Sequence, residues 1–190
     1  EYLMQEIYIK KDDQGFYVND VYCGIKYRKK VSPRTMPNHN ELNVEHTWPQ
    51  SRFNKSENSA FQKSDLHHLF PSDSRANGKR GNLPFGEFTS GSAATSDCAA
   101  SRYGQIEGTG KHGFEPPAKH KGNVARALFY FSIRYNLRIK DYEEVVLRQW
   151  NLLDPVDEAE MRRNDQIESI QGNRNPFIDD PELSDLVSDF

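Results

Sequence analysis

Asn43-Val44-Glu45-His46-Thr47-Trp48-Pro49 reads as a short strand, stopped by Pro49, which has no N–H to give to a ladder. The polar run 51–64 after it reads as a loop. Asp65 to Asn77 reads as one or two short helical turns, with Pro71 opening the second. Upstream, Glu6 to Lys10 alternates, Asp12-Asp13-Gln14-Gly15 is a turn and Phe16 to Val18 resumes, the pattern of a hairpin. Lys26 to Arg34 is a basic, exposed loop. Downstream, residues 89–113 are loops or short strands around Cys98. Val124, Leu128, Phe131 and Tyr135 recur at helical spacing and predict a helix over Gly122 to Tyr135. A second helix covers Asp141 to Trp150. A third starts at Asp154 as N-cap, with Pro155 at its first position, and runs to Gly172. The acidic tail, residues 179–190, is expected to pack lightly or fray. Short strands followed by helices predict a single mixed α+β domain with C-terminal helices.

At 190 residues, with 11 Phe and 9 Tyr, the chain has the apolar bulk for one sizeable core and too much for a disordered segment. Its longest apolar run, Ala127 to Ile133 around Ser132, is far too short to span a bilayer, so no membrane role is expected. Glu1-Tyr2-Leu3-Met4 has no leader character, which leaves a cytoplasmic protein or one whose leader has been removed. The net charge of −3 hides an asymmetry: residues 1–140 carry 21 Lys and Arg against 14 Asp and Glu, and residues 141–190 carry 4 against 14. A basic body suits phosphate, although a solvated acidic helix pair explains the same numbers. Cys23 and Cys98 are either separate buried thiols or one disulfide, closing a loop of about 75 residues worth roughly 4 kcal/mol in the chain-entropy model.

Hydrolysis of a phosphodiester needs a base for water, a cation against the phosphate charge, and cationic donors to hold the strand. Glu45 and His46 offer a ligand and a base side by side. Successive strand side chains face opposite ways, so the pair serves one site only if the strand ends there, as Pro49 suggests. Asn77, 31 residues after His46, adds an amide oxygen. A hard Mg²⁺ that keeps much of its water takes one carboxylate and one amide as its protein share. Alone, a Glu-His pair is most often merely exposed and polar.

In order and spacing, Glu45 to Ser51, Asp65 to Pro71 and Asn77-Gly78-Lys79-Arg80-Gly81-Asn82 resemble the endonuclease I family, secreted bacterial nucleases of the His-Me finger (ββα-metal) class. Phe114-Glu115-Pro116-Pro117, Lys121 to Arg126 and Gln171 to Phe177 resemble its later signatures, so the likeness covers roughly residues 40–180. The resemblance implies a ββα-metal element over residues 43–82, His46 as general base, and Glu45 and Asn77 as ligands of a single Mg²⁺, with Mn²⁺ or Ca²⁺ as substitutes. It implies cleavage of DNA, and of RNA as well, with little sequence preference and 5′-phosphate ends. It further implies a secreted or periplasmic monomer with a Cys23–Cys98 disulfide, and leaves open whether an inhibitor protein accompanies it. The chain departs from the family pattern at His68, where Asn is common, and at Lys63, where some members carry an acid, so no second acid–base group is assigned. Arg52 is the candidate catalytic arginine by position only, against plain surface charge.

Other residues read more simply. Asp65 and His67 form a hydrogen-bonded structural pair, and zinc lacks a thiolate or an HExxH word. Trp48, Phe70 and Phe85 are core. Arg126, on an apolar helix, pairs with a buried carboxylate, and Arg174 has a weak claim on phosphate. The competing function is a catalytically silent nucleic-acid-binding or inhibitor-binding module, which would not require Glu45, His46 and Asn77 together.

Overall fold

The computed structural model describes residues 2–190, with side chains from Gln5 onward. It opens with helix α1 (Tyr2–Tyr8) and an antiparallel sheet of β1 (Lys10–Asp12), β2 (Gly15–Asn19) and β3 (Lys26–Tyr27). Residues 6–8, expected as strand, are helical, and the hairpin's first strand is only Lys10–Asp12. Helicity wins there because Ile7 is buried against Leu66, Leu69 and Ile167.

Next come β4 (Leu42–His46), α2 (Ser59–Ser64), β5 (Leu69–Asp73) and α3 (Ser74–Arg80). The expected loop over 51–64 thus contains a helix, capped by the Asn58 side chain, which accepts from the Ala60 N–H at 2.8 Å. Leu66–His68 is a 3₁₀ turn, and Pro71 lies inside β5 instead of opening a helix. Proline is tolerated there because β5 belongs to a two-stranded ribbon, with Pro71 opposite Val44.

A third sheet, β6 (Ser92–Thr95), β7 (Cys98–Gln105) and β8 (His112–Glu115), is followed by α4 (Lys121–Tyr135), α5 (Asp141–Leu153), α6 (Glu158–Gln171), α7 (Pro176–Asp179) and α8 (Leu183–Leu186). Helix and sheet make one α+β domain around α4, whose Val124, Leu128, Phe129 and Phe131 are buried. Trp48 stacks on Phe131 at 5.5 Å between ring centres. Asp154 ends α5 instead of starting α6: its carboxylate accepts from the Gly122 N–H at 2.8 Å. No side chain fits at Gly122, where a Cβ would lie 1.9 Å from the Asp154 carbonyl oxygen. Asp157 is the true N-cap of α6, accepting from the Glu160 N–H.

Arg126 pairs with the buried Glu160, as expected, through two hydrogen bonds of 2.9 and 2.5 Å. The tail does not fray. Phe190 is buried on Phe129 at 4.2 Å, its carbonyl accepts from the Ile139 N–H at 2.7 Å, and Arg148 holds the Ser184 and Val187 carbonyls. Cys23 and Cys98 are joined in a disulfide.

Candidate active site

β4 pairs antiparallel with β5, with Glu45 opposite Phe70 and His46 opposite Leu69, and β4 ends at His46. Ending there removes the conflict between neighbouring side chains. Glu45 turns inward, His46 sits at the rim, and both line one cavity of about 530 Å³ together with Asn77, Gln50, Lys63 and Arg80. Helix α3 delivers Asn77 because Asp73 caps its start, accepting from the Arg75 and Ala76 N–H groups. Asn77 Nδ2 donates to the Val44 carbonyl at 3.3 Å, which ties α3 to β4 and leaves Oδ1 as an acceptor.

His46 Nε2 lies 3.2 Å from the Lys63 carbonyl. A carbonyl only accepts, so the ring proton belongs on Nε2 and Nδ1 keeps its lone pair, with the Gln50 amide nitrogen 3.5 Å away. Burial pushes the imidazole pKa below its ordinary value, and the Lys63 and Arg80 charges push the same way, against the backbone acceptors that favour the cation. Both effects favour the neutral ring, whose Nδ1 lone pair is open to a weak donor such as the Gln50 amide, the kind of group a general base requires.

Glu45 Oε1 accepts from the Tyr22 hydroxyl at 2.8 Å and lies 3.0 Å from Arg80 Nη1. Oε2 has no protein donor among the described residues. Burial pushes this carboxyl upward, while Arg80 and the Tyr22 hydroxyl favour the anion. Oε2 and the Asn77 Oδ1 are two hard oxygen donors at one cavity. That set suits a cation that retains water ligands, and no group of three His, Cys, Asp or Glu among the described residues offers a zinc-type cage.

Two residues of this site escaped the reading of the sequence. Arg80 is fully buried, donates to the His46 and Thr47 carbonyls at 3.0 and 2.5 Å, and lies over the Phe85 ring. Its signal was available: it follows Asn77 by three on one helix, hence on one face. Tyr22 had no signal. It is held beside Glu45 by contacts distant in the chain: the adjoining Cys23 is bonded to β7, and the Tyr22 carbonyl accepts from the Ser101 hydroxyl at 2.7 Å.

Arg52 is not brought into the cavity. It donates to Glu143 at 3.1 Å and lies 5.1 Å over the Trp48 ring. Arg174 is held by Asp165, Glu168 and Asp179. Trp48, Phe70 and Phe85 are buried, and His68 packs between His46 and Phe131 at 5.3 and 4.2 Å.

Residues 3–182 match the family described as Endonuclease I. The chain is 38% identical to an extracellular ribonuclease of Bacillus amyloliquefaciens over 167 residues, 77% of this chain and 54% of that protein. It is 30% identical to an extracellular deoxyribonuclease of Aeromonas hydrophila over 129 residues, 66% of this chain and 53% of that one. A periplasmic deoxyribonuclease of the same organism is 30% identical over 133 residues, 68% and 50%. The chain thus spans about half the length of these relatives. With the matched region running from α1 to the edge of α8, the chain belongs to the endonuclease I family.

Proposed function

We propose that this domain is a sequence-tolerant endonuclease that hydrolyses phosphodiester bonds in DNA and RNA, with β4, β5 and α3 as its ββα-metal element. The observation that carries this reading is His46, held through Nε2 on the Lys63 carbonyl with only the weak Gln50 contact on Nδ1, in one cavity with Glu45 and Asn77. The relatives include a ribonuclease and deoxyribonucleases with extracellular or periplasmic names, which supports both substrates and a secreted or periplasmic setting.

Glu45 Oε2 and Asn77 Oδ1 would hold one Mg²⁺, which when bound supplies positive charge against the scissile phosphate. His46 Nδ1 takes the proton of the attacking water, while the Lys63 carbonyl keeps the ring from turning away. Attack at phosphorus breaks the bond to the 3′ oxygen, which takes a proton from solvent and leaves as a 3′-hydroxyl, while the water oxygen remains on the 5′-phosphate. Arg80 and Tyr22 hold Glu45 from behind, on the oxygen that faces away from this chemistry. A phosphate contact from Arg52 would require it to leave Glu143.

The test is the plasmid cleavage rate against Mg²⁺ concentration for His46→Ala, Glu45→Ala and Asn77→Ala, with calorimetric metal binding alongside. His46→Ala should lose about 10² to 10⁴ in rate and keep its metal affinity. Asn77→Ala should lose affinity and recover with added Mg²⁺, since water replaces a neutral ligand. Glu45→Ala should recover poorly, since a charge is lost with the oxygen. If His46→Ala loses metal as severely as Glu45→Ala, His46 is a ligand and the single-Mg²⁺ reading fails.

A further inference from the structure

Helix α2 has a second use. The Lys63 backbone carbonyl, near the end of α2, holds His46; Phe61 and Ser64, three apart on the same helix, share a face. On that face opens a cleft of about 330 Å³ lined also by Arg134, Tyr135, Gln171 and Asn173. Phe61 is 67% exposed and is the one aromatic ring among the exposed large hydrophobic side chains of the described residues. Single exposed hydrophobics are common, so exposure alone says little. Placement says more. The Phe61 carbonyl accepts from the Tyr135 hydroxyl at 3.4 Å, which fixes the ring's backbone at the mouth of the cleft. Exposed Arg134, its guanidinium 5.3 Å from the Tyr135 ring centre, brings a cation to the same mouth.

The floor of the cleft offers little to the edge of a base, because its polar groups are engaged with one another. Asp65 accepts from the His67 N–H, Gln171 Nε2, and the Tyr130 and Tyr135 hydroxyls. Gln171 also takes the Leu66 N–H and donates to Asn173, whose own Nδ2 donates to Tyr130. What remains for a ligand is a flat ring and a positive charge, on the same short helix whose Lys63 carbonyl meets His46. Stacking of that kind accepts any base.

We propose that this cleft is a base-stacking subsite for an unpaired nucleotide of the substrate strand, with the base on Phe61 and a flanking phosphate on Arg134. It rests on the nuclease reading and adds a strand preference to it. A base in a duplex must first be unstacked and unpaired, at a cost, so the subsite favours single strands.

The test is fluorescence anisotropy with a fluorescein-labelled oligothymidylate and a labelled blunt-ended duplex, in chelator so that nothing is cut. Phe61→Ala should weaken oligothymidylate binding by about 5- to 10-fold, the lower end for one stacked base, and change duplex binding much less. Phe61→Trp should restore it, and Arg134→Ala should lower the slope of log affinity against log salt by about one phosphate's worth. Unchanged oligothymidylate affinity in Phe61→Ala, or equal losses on both probes, overturns the subsite while leaving wild-type plasmid cleavage, and with it the nuclease reading, intact. Failure of the wild-type protein to bind oligothymidylate overturns the subsite, and failure to cleave plasmid with Mg²⁺ present overturns the nuclease reading as well.

Discussion

Glu45 and Asp65 are both buried carboxylates, 1% and 4% exposed, and burial alone does not tell them apart. Their partners do. Asp65 accepts four hydrogen bonds, two on each oxygen, which fills the capacity of a carboxylate. Those donors come from the 3₁₀ turn, from α4 and from the last residue of α6, so Asp65 joins elements distant in the chain. Glu45 has both of its protein donors on one oxygen, and the other faces the cavity unpartnered. A buried charge that the protein satisfies completely is architecture. One that it satisfies by half is set for something the chain does not itself contain.

The largest effect should come from exchanging charge for amide at each position. Glu45→Gln removes the charge from the open oxygen and should cost at least about 10² in cleavage rate if Glu45 is the proposed cation's one carboxylate. Its thermal midpoint should fall less than that of Asp65→Asn, because the amide oxygen still accepts from Tyr22 and Arg80. Arg80, though it loses a carboxylate, keeps the His46 and Thr47 carbonyls. Asp65→Asn puts an NH₂ where two donors already point and should cost roughly 3 kcal/mol of stability, or about 6–12 °C in midpoint. Its rate per folded molecule should stay near wild type. Melting curves paired with active-site-normalised rates check both. A rate loss in Asp65→Asn without a change in midpoint would erase the distinction.

The same contrast explains what could be read from the sequence. β4 was legible because its residues alternate and Pro49 stops it, and the meeting of Glu45, His46 and Asn77 at one cavity was legible because their words lie within one local ribbon and helix. β5 was not, since Pro71 and the Ser72-Asp73-Ser74 run carry turn chemistry, and only pairing with β4 makes them a strand. α2 hid in a polar stretch, its one buried side chain, Gln62, accepting from the Asn54 N–H and donating to the Asn54 carbonyl. Tyr22 and the network of Asp65 depend on contacts across most of the chain, which no local pattern reports. Asp154 and Asp157 are equally good caps by composition, and only the tertiary bond of Asp154 to Gly122 decides between them.

Acid should act first on the architectural side. Burial lowers His67 to about 4 and His120 to about 3, each ring keeping one nitrogen without a partner. The unfolded chain, with imidazoles near ~6.5, takes up protons that the folded chain refuses. Stability is therefore complete above that value and falls as pH drops from there toward 4, by up to about 1.4 kcal/mol per pH unit for each histidine. Urea unfolding at pH 7, 6 and 5 reads the slope. His120→Gln should flatten it, and a slope unchanged in that variant would remove His120 from the account.

Arg52 offers the smallest effect and the finest test of the comparison. Its guanidinium serves Glu143, whose other oxygen accepts from the Phe85 N–H at 2.9 Å, so this carboxylate too is satisfied from inside the protein. By the argument from partners, Arg52 then belongs with Asp65 and not with Glu45. Arg52→Ala should lower stability by about 1–2 kcal/mol, because it leaves a buried carboxylate half-partnered. It should change the cleavage rate of folded protein by no more than a few-fold, whereas an arginine that stabilises transition-state charge typically loses 10² or more on removal. A cycle with Glu143→Gln separates the two roles. If the pair is structural, the double variant recovers part of the stability lost in Arg52→Ala, since the unpartnered charge is gone, and the rate stays level throughout. If Arg52→Ala alone loses 10² in rate at an unchanged midpoint, its bond to Glu143 is only a resting position, released when a phosphate arrives, and satisfied partners no longer mark a charge as architecture.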